Sequence, residues 1–188
     1  DLHQIVTDHP GATLPDDPFE QLRTAVAAVF DSWMGERAVE YRRHEGIDGD
    51  IGTACTIQAM VFGNRDDSSG SGVVFTRDPA TGDDHPTGDY LPNAQGEDVV
   101  SGTHSTLPIA DFSRLMPEQS AELDRALELL EGHYRDMCDV EFTVEQGHLH
   151  ILQCRVGKRT GAAALRIASQ LVEDPGVALT RDEAVVRI

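Results

Sequence analysis

The sequence predicts an α+β fold with a mainly antiparallel sheet and flanking helices. Apolar residues recur at helical spacing over 18–33, 117–135 and 162–173. Residues 53–61, 71–76, 138–144 and 148–154 instead carry the β-branched and alternating texture of strands. The strand segments group between helices without regular alternation, which separates this pattern from a doubly wound sheet. The 188 residues suffice for one ordinary domain or a sizeable piece of a larger enzyme. There is no internal repeat.

Residues 1–17, with Pro10, Gly11 and Pro15, form a lead-in segment. Asp16-Asp17-Pro18 supplies an N-cap and a first-turn proline for a helix whose apolar face is Phe19, Leu22, Val26, Val29, Phe30 and Trp33. A short second helix starts at Arg37 and ends at Gly46. Strands 53–61 and 71–76 are joined by the turn-rich GNRDDSSG, and Arg77-Asp78-Pro79 stops the second. Residues 88–91 make a weaker strand before a loop, NAQGEDVVSG. Helix 117–135 carries Leu123, Leu127, Leu130 and Tyr134, and leads into a hairpin over 138–144 and 148–154. Helix 162–173 closes a body spanning 18–174. Residues 175–188 open a linker or helix toward a following domain, with Thr180 and Glu183 as a capping box.

With 15 basic and 33 acidic residues the net charge is −18, which repels nucleic acid and anionic lipid. The longest basic clusters, Arg42-Arg43 and Lys158-Arg159, are too short for a nucleic-acid groove. No apolar run approaches a membrane span, and the N-terminal residues carry no signal-peptide pattern. Cys55, Cys138 and Cys154 are odd in number and lack C-x-x-C spacing, as expected for reduced thiols in a cytoplasmic protein, packed as small apolar residues. The lack of an initiating Met fits a piece of a longer chain.

The hairpin DVEFTVEQGHLHILQCR carries the most chemistry. Val140, Phe142 and Val144 alternate with Asp139, Glu141 and Thr143, so one face is core and the other polar. A two-residue loop at Gln146-Gly147 would turn Gln153 and Arg155 behind the carboxylates; a three-residue loop, Glu145-Gln146-Gly147, would bring them onto the carboxylate face. Glycine at the last loop position is the signature of the three-residue form. Asp139 then faces Gln153, Glu141 lies diagonal to it, and Arg155 extends the row. Carboxylates, an amide oxygen and a guanidinium on one surface suit Mg²⁺ bound to phosphates. On pattern alone, a solvated strand face is the commoner reading.

Other candidates carry less. SSGSG resembles a phosphate cradle but precedes a strand, and reads better as a flexible strand connection. His104 beside Ser105 lacks a third member and reads as an exposed turn. His133, His148 and His150 have no metal-ligand spacing, and the chosen register puts His150 on the apolar face. Glu97-Asp98 is an acidic pair that could hold a ribose or metal, or cap a turn.

Several segments resemble, in the same order, the nucleotide-binding domain of the pyruvate phosphate dikinase family: AVFDSWMGERAVEYRR, MVFGNRDDSSGSGVVFTRDPATG, NAQGEDVVSG, HYRDMCDVEFTVEQGHLHILQCRVGKRT and AALRIASQLV. The resemblance covers 18–188 and implies the later portion of an ATP-grasp domain. The reaction implied for the whole enzyme interconverts ATP, phosphate and pyruvate with AMP, pyrophosphate and phosphoenolpyruvate through a phosphohistidine on a swivelling domain. It further implies that Glu141 and Gln153 hold Mg²⁺ on the nucleotide phosphates with Asp139 beside them, and that Arg155 contacts the phosphates during transfer. Glu97 and Asp98 would lie at the nucleotide, and Gln58, Met60 and Val61 would pass the adenine. The resemblance implies a homodimer for the full enzyme.

Nothing here matches the family's glycine-rich first half with its phosphate-binding lysine, its phosphohistidine domain, or its pyruvate-binding barrel. Lys158 lies in the later GKRT block and does not replace that lysine. The isolated chain is therefore expected to hold half an ATP site, to bind nucleotide weakly and to be inactive. Two alternatives stand beside this reading: part of a phosphoenolpyruvate synthase, and a non-catalytic nucleotide-binding module.

Overall fold

The computed structural model describes residues 14–188; residues 1–13 of the predicted lead-in segment lie outside the described residues. The chain divides into two compact units between Ala59 and Met60. No helix among the described residues is long and apolar enough to cross a membrane.

In the first unit, helices α1 (Pro18–Ser32) and α2 (Glu36–Glu45) start and stop where their caps dictate. The Asp17 carboxylate accepts from the Phe19 N–H at 3.3 Å, and Gly46 ends α2 in the left-handed region at φ 66°. The Trp33 indole donates to the Gly49 carbonyl at 3.2 Å, and the Arg42 guanidinium lies 3.8 Å over the Trp33 ring. Helix α1 buries none of its residues within the described structure, and Phe19 and Phe30 are exposed.

The strand expected over 53–61 does not form. Alternation marks a segment that can pair, but a strand also needs a neighbour to receive its N–H and C=O groups. This stretch has none among the described residues, and Ile57 and Met60 stand exposed.

The second unit is built on a five-stranded sheet of β1 (Gly70–Phe75), β2 (Thr87–Pro92), β3 (Leu107–Pro108), β4 (Cys138–Glu145) and β5 (His148–Val156). Its order is β3-β2-β1-β4-β5, every pairing antiparallel, as the sequence predicts. Helix α5 (Pro117–Tyr134) lays Leu123 and Leu127 on one face against Val74, Val140, Phe142 and Val144. Two helices escaped the sequence reading: α3 (Gly96–Val100), inside the expected loop, and the single turn α4 (Phe112–Leu115). The α4 turn drives Phe112 into that core, 4.6 Å from the Tyr90 ring and 5.4 Å from Phe142. Burial pushes the Tyr90 phenol up to about 12, and its hydroxyl donates to the Met116 sulfur at 3.4 Å.

The SSGSG run serves this core and is neither cradle nor flexible connection. A Cβ on Gly72 would meet the Phe142 ring at 2.5 Å, and one on Gly70 the Tyr90 hydroxyl at 2.1 Å, so bare backbone at these points seats the two rings. Cys138 is fully buried, and burial raises its thiol well above the usual value, so it packs as an apolar group.

A second cluster joins Met137, Val177 and Leu179 to Ala163, Ile167 and Leu171 of α6 (Gly161–Glu173), with Phe75 packed against it. Between the clusters, Arg77 is 2% exposed and meets Glu131 at 2.6 Å, Asp84 at 3.1 Å and Asp174 at 3.4 Å. Burial works against the charge, but Glu131 and then the other two carboxylates outweigh it and hold the guanidinium above its ordinary value.

The last helix, α7 (Arg181–Val186), opens in the predicted capping box of Thr180 and Glu183. Arg135 also donates to Glu183 at 2.6 Å; with the Thr180 bonds this holds the carboxyl at about 2, below its ordinary 4.5. Stability from this group is therefore complete above pH 4.5 and lost as pH falls toward 2. Glu183→Gln should be less stable than the parent near neutral pH, with the difference closing on acidification through that window, as read from urea midpoints at several pH values. A difference independent of pH would show that ionisation of Glu183 contributes nothing.

Candidate functional site

Strand β4 has partners on both sides, β1 and β5, and this fixes its alternation. The even-numbered residues from Cys138 to Val144 are buried under α5 and its neighbours, which turns Asp139, Glu141, Thr143 and Glu145 to the opposite face. On that face β1 sets Val73 beside Glu141 and Ser71 beside Thr143, whose hydroxyls bond at 2.9 Å.

The turn between β4 and β5 differs from expectation. It is a two-residue loop, Gln146-Gly147, with both residues at positive φ, 51° and 77°. A glutamine in the left-handed region costs roughly 1–2 kcal/mol, and its neighbours hold it there. The Gln146 N–H donates to Ser69 Oγ at 3.0 Å, the Gly147 N–H to the Ser68 carbonyl at 2.9 Å, and Gln119 Nε2 to the Gly147 carbonyl at 2.7 Å.

Uninterrupted, that loop would turn Gln153 and Arg155 onto the core face. A bulge opposite the Glu141–Phe142 step restores them: Phe142 pairs with Ile151 and Glu141 with Gln153, so Leu152 is the extra residue. Asp139 then pairs with Arg155, a closer match than the diagonal register expected from sequence. Two departures from the expected register, turn and bulge, thus return the four side chains to one face. His150, expected on the apolar face, pairs with Thr143 on the polar one. A signal for the bulge was present: Leu149 and Ile151 are odd-numbered apolar residues, whereas Cys154 and Val156 are even-numbered, so the phase switches between them.

Arg155 Nε and a terminal nitrogen both donate to one oxygen of Asp139, Oδ2, each at 2.8 Å. That carboxylate, by hydrogen bond and then by charge, holds Arg155 above its ordinary value. Asp139 is buried, and its other oxygen, Oδ1, has no partner. A desolvated carboxylate oxygen without a donor costs about 1–3 kcal/mol, so the position fits a cation or donor brought by a ligand. Glu141 is half-buried and Gln153 exposed beside it. The donors that Asp139, Glu141 and Gln153 offer are oxygens, the set a hard cation takes. Among the described residues no group of three or more His, Cys, Asp or Glu side chains could hold a metal ion alone. An ion here would complete its shell with ligand or water oxygens.

The acidic pair Glu97-Asp98 sits in the first turn of α3, which packs against β1, β2 and β4. Its two members differ. Asp98 Oδ2 accepts from the Gln95 N–H at 2.9 Å as part of a capping box, whereas Glu97 is exposed. Gln58, Met60 and Val61 fall on the unpaired stretch; Gln58 and Met60 are exposed, Val61 half-buried. Among the described residues the His104 ring bonds its neighbour Thr103, at 3.0 Å, as an exposed turn would. A hollow of about 410 Å³ beside α5, lined by Asp84, Asp124, Glu128 and Glu131, involves none of the hairpin residues, and its Glu131 is already engaged by Arg77.

A family model described as pyruvate phosphate dikinase, AMP/ATP-binding domain, matches residues 16–111 and 105–174. The chain is 52% identical over 179 residues to pyruvate, phosphate dikinase of Clostridium symbiosum, covering 95% of the chain and 20% of that protein. It is 47% identical over 190 residues to the protein of that name from Rhizobium meliloti, covering 95% and 21%. It is 51% identical over 168 residues to the chloroplastic pyruvate, phosphate dikinase 1 of Arabidopsis thaliana, covering 89% and 17%. The chain spans about a fifth of the length of these curated relatives.

If Leu152 is only the residue accommodated by the bulge, deleting it leaves a regular two-residue hairpin with the same side chains opposed. The deletion should change unfolding free energy by less than about 2 kcal/mol, because Leu152 lies outside the buried core and is 42% exposed. Loss of folding in a urea titration would show that the bulge itself holds the sheet together.

Proposed function

The chain belongs to the pyruvate phosphate dikinase AMP/ATP-binding domain family, and on that premise we propose that it supplies the phosphate-facing part of an ATP site in a pyruvate phosphate dikinase. In this reading the whole enzyme converts ATP, phosphate and pyruvate into AMP, pyrophosphate and phosphoenolpyruvate, reversibly, through a phosphohistidine carried on another domain. The observation that carries it is the pairing of Asp139 with Arg155 and Glu141 with Gln153 on one sheet face.

Glu141 and Gln153 would hold Mg²⁺, with Asp139, whose Oδ1 has no partner, beside them. When bound, the ion would neutralise phosphate charge and fix the orientation of the nucleotide. The protein's own groups prepare the rest. Arg155 spends two of its five N–H donors on Asp139, leaving three for phosphate oxygens, and its side chain is already 60% exposed. Asp139 fixes the plane of that guanidinium, so little ordering remains when phosphate arrives. Glu97 would meet the nucleotide from α3, with Asp98 acting through the helix start. Gln58, Met60 and Val61 would border the adenine. The opposing half of the clamp would come from the part of the enzyme outside the matched fifth, so that this chain alone binds Mg·ATP weakly.

Glu141→Gln in the full-length enzyme should lower phosphate-dependent formation of AMP and pyrophosphate from ATP by about 100-fold, with circular dichroism unchanged. A parental rate would remove the hairpin face from the reaction.

A further inference from the structure

We propose that Gln95 is a positioning residue of the nucleotide site: its side-chain amide oxygen ties the chain at Gly63 to the start of α3, and so sets where Met60 and Val61 stand relative to Glu97. This rests on the reading of the site given above, because it joins two segments which that reading places at the nucleotide.

Gly63 is buried, and its backbone runs against other backbone. A Cβ there would meet the Ala94 carbonyl oxygen at 2.2 Å, Ser71 Oγ at 2.4 Å and the Gly70 carbonyl oxygen at 2.9 Å. Its N–H donates to Gln95 Oε1 at 3.0 Å, across 32 residues of sequence. The Gln95 side chain also accepts from the Asp98 N–H, while Asp98 Oδ2 accepts from the Gln95 N–H. These bonds close on themselves within the QGED turn, and the bond to Gly63 points out of it. Residues 53–62 have no strand partner among the described residues. The grip on Gly63 is thus what fixes the near end of a stretch that otherwise has little to align it.

Such a residue acts through others, and its signature is a change in nucleotide affinity without loss of chemistry. Gln95→Asn separates the two jobs of the side chain. Asparagine is a favourable N-cap and retains the start of α3, but it is one methylene too short to reach Gly63. Gln95→Glu keeps both reach and acceptor oxygen.

The full-length enzyme is the material, and steady-state kinetics with varied ATP is the measurement. Gln95→Asn should raise KM for ATP about tenfold with kcat changed less than about twofold, and Gln95→Glu should return KM to within about threefold of the parent. A parental KM in the Asn variant, a fall in kcat matching the rise in KM, or a Glu variant as impaired as the Asn variant would each overturn the role. Glu141→Gln in the same assay separates the layers. Full activity there defeats the underlying site reading, whereas an inactive Glu141→Gln beside an indifferent Gln95→Asn defeats the Gln95 role alone.

Discussion

The second unit is organised around one buried charge. Arg77 leaves the end of β1 and enters the interior between α5 and α6, where isolation of a guanidinium would cost several kcal/mol. It is tolerable because Glu131 comes from α5, Asp174 and Gln170 from the end of α6, and Asp84 from the loop before β2. The partners come from three different places, α5, the end of α6 and the loop before β2, so the condition for burying the charge is also a condition on where those elements lie. An aliphatic residue could fill the same volume but would accept many arrangements of helix and loop. In a chain carrying −18, carboxylates are plentiful, and the geometry selects which of them are useful.

That frame allows β4 to serve two purposes. Its even-numbered side chains are committed to the three-ring core, and only then can the odd-numbered ones be held at fixed spacing on the other face. Asp139 shows the effect. Its carboxylate is buried, bonded by Arg155 through one oxygen and without a partner at the other. In the proposed reading, ligand and protein from the rest of the enzyme would meet this face.

Caps and core periodicity were legible because they are local. Asp17 before Pro18, Gly46 after α2, and Thr180 with Glu183 act within a turn of the chain, and each occupies its expected role. The hairpin was legible in composition but not in detail. The loop at Gln146-Gly147 is anchored by Ser68, Ser69 and Gln119, distant residues that outweigh the local preference for a three-residue turn. The bulge left a trace in the parity of apolar residues that the turn assignment obscured. Helix α3 was missed because its five residues are held by the polar side chains of Gln95 and Asp98, while only Val99 among them is buried. Residues 53–61 carry strand-forming side chains, and what they lack among the described residues is a partner, which no local pattern reports.

The unpaired stretch bears on how this chain behaves in solution. Ile57, Met60 and Phe62 form an uncovered, β-favouring run that an identical run on another molecule could meet edge to edge. The large negative charge keeps such encounters rare through repulsion that acts over roughly 10 Å at 0.1 M salt and shrinks as salt is added. Added salt shortens the range of that repulsion, so ionic strength sets how closely two such runs can approach.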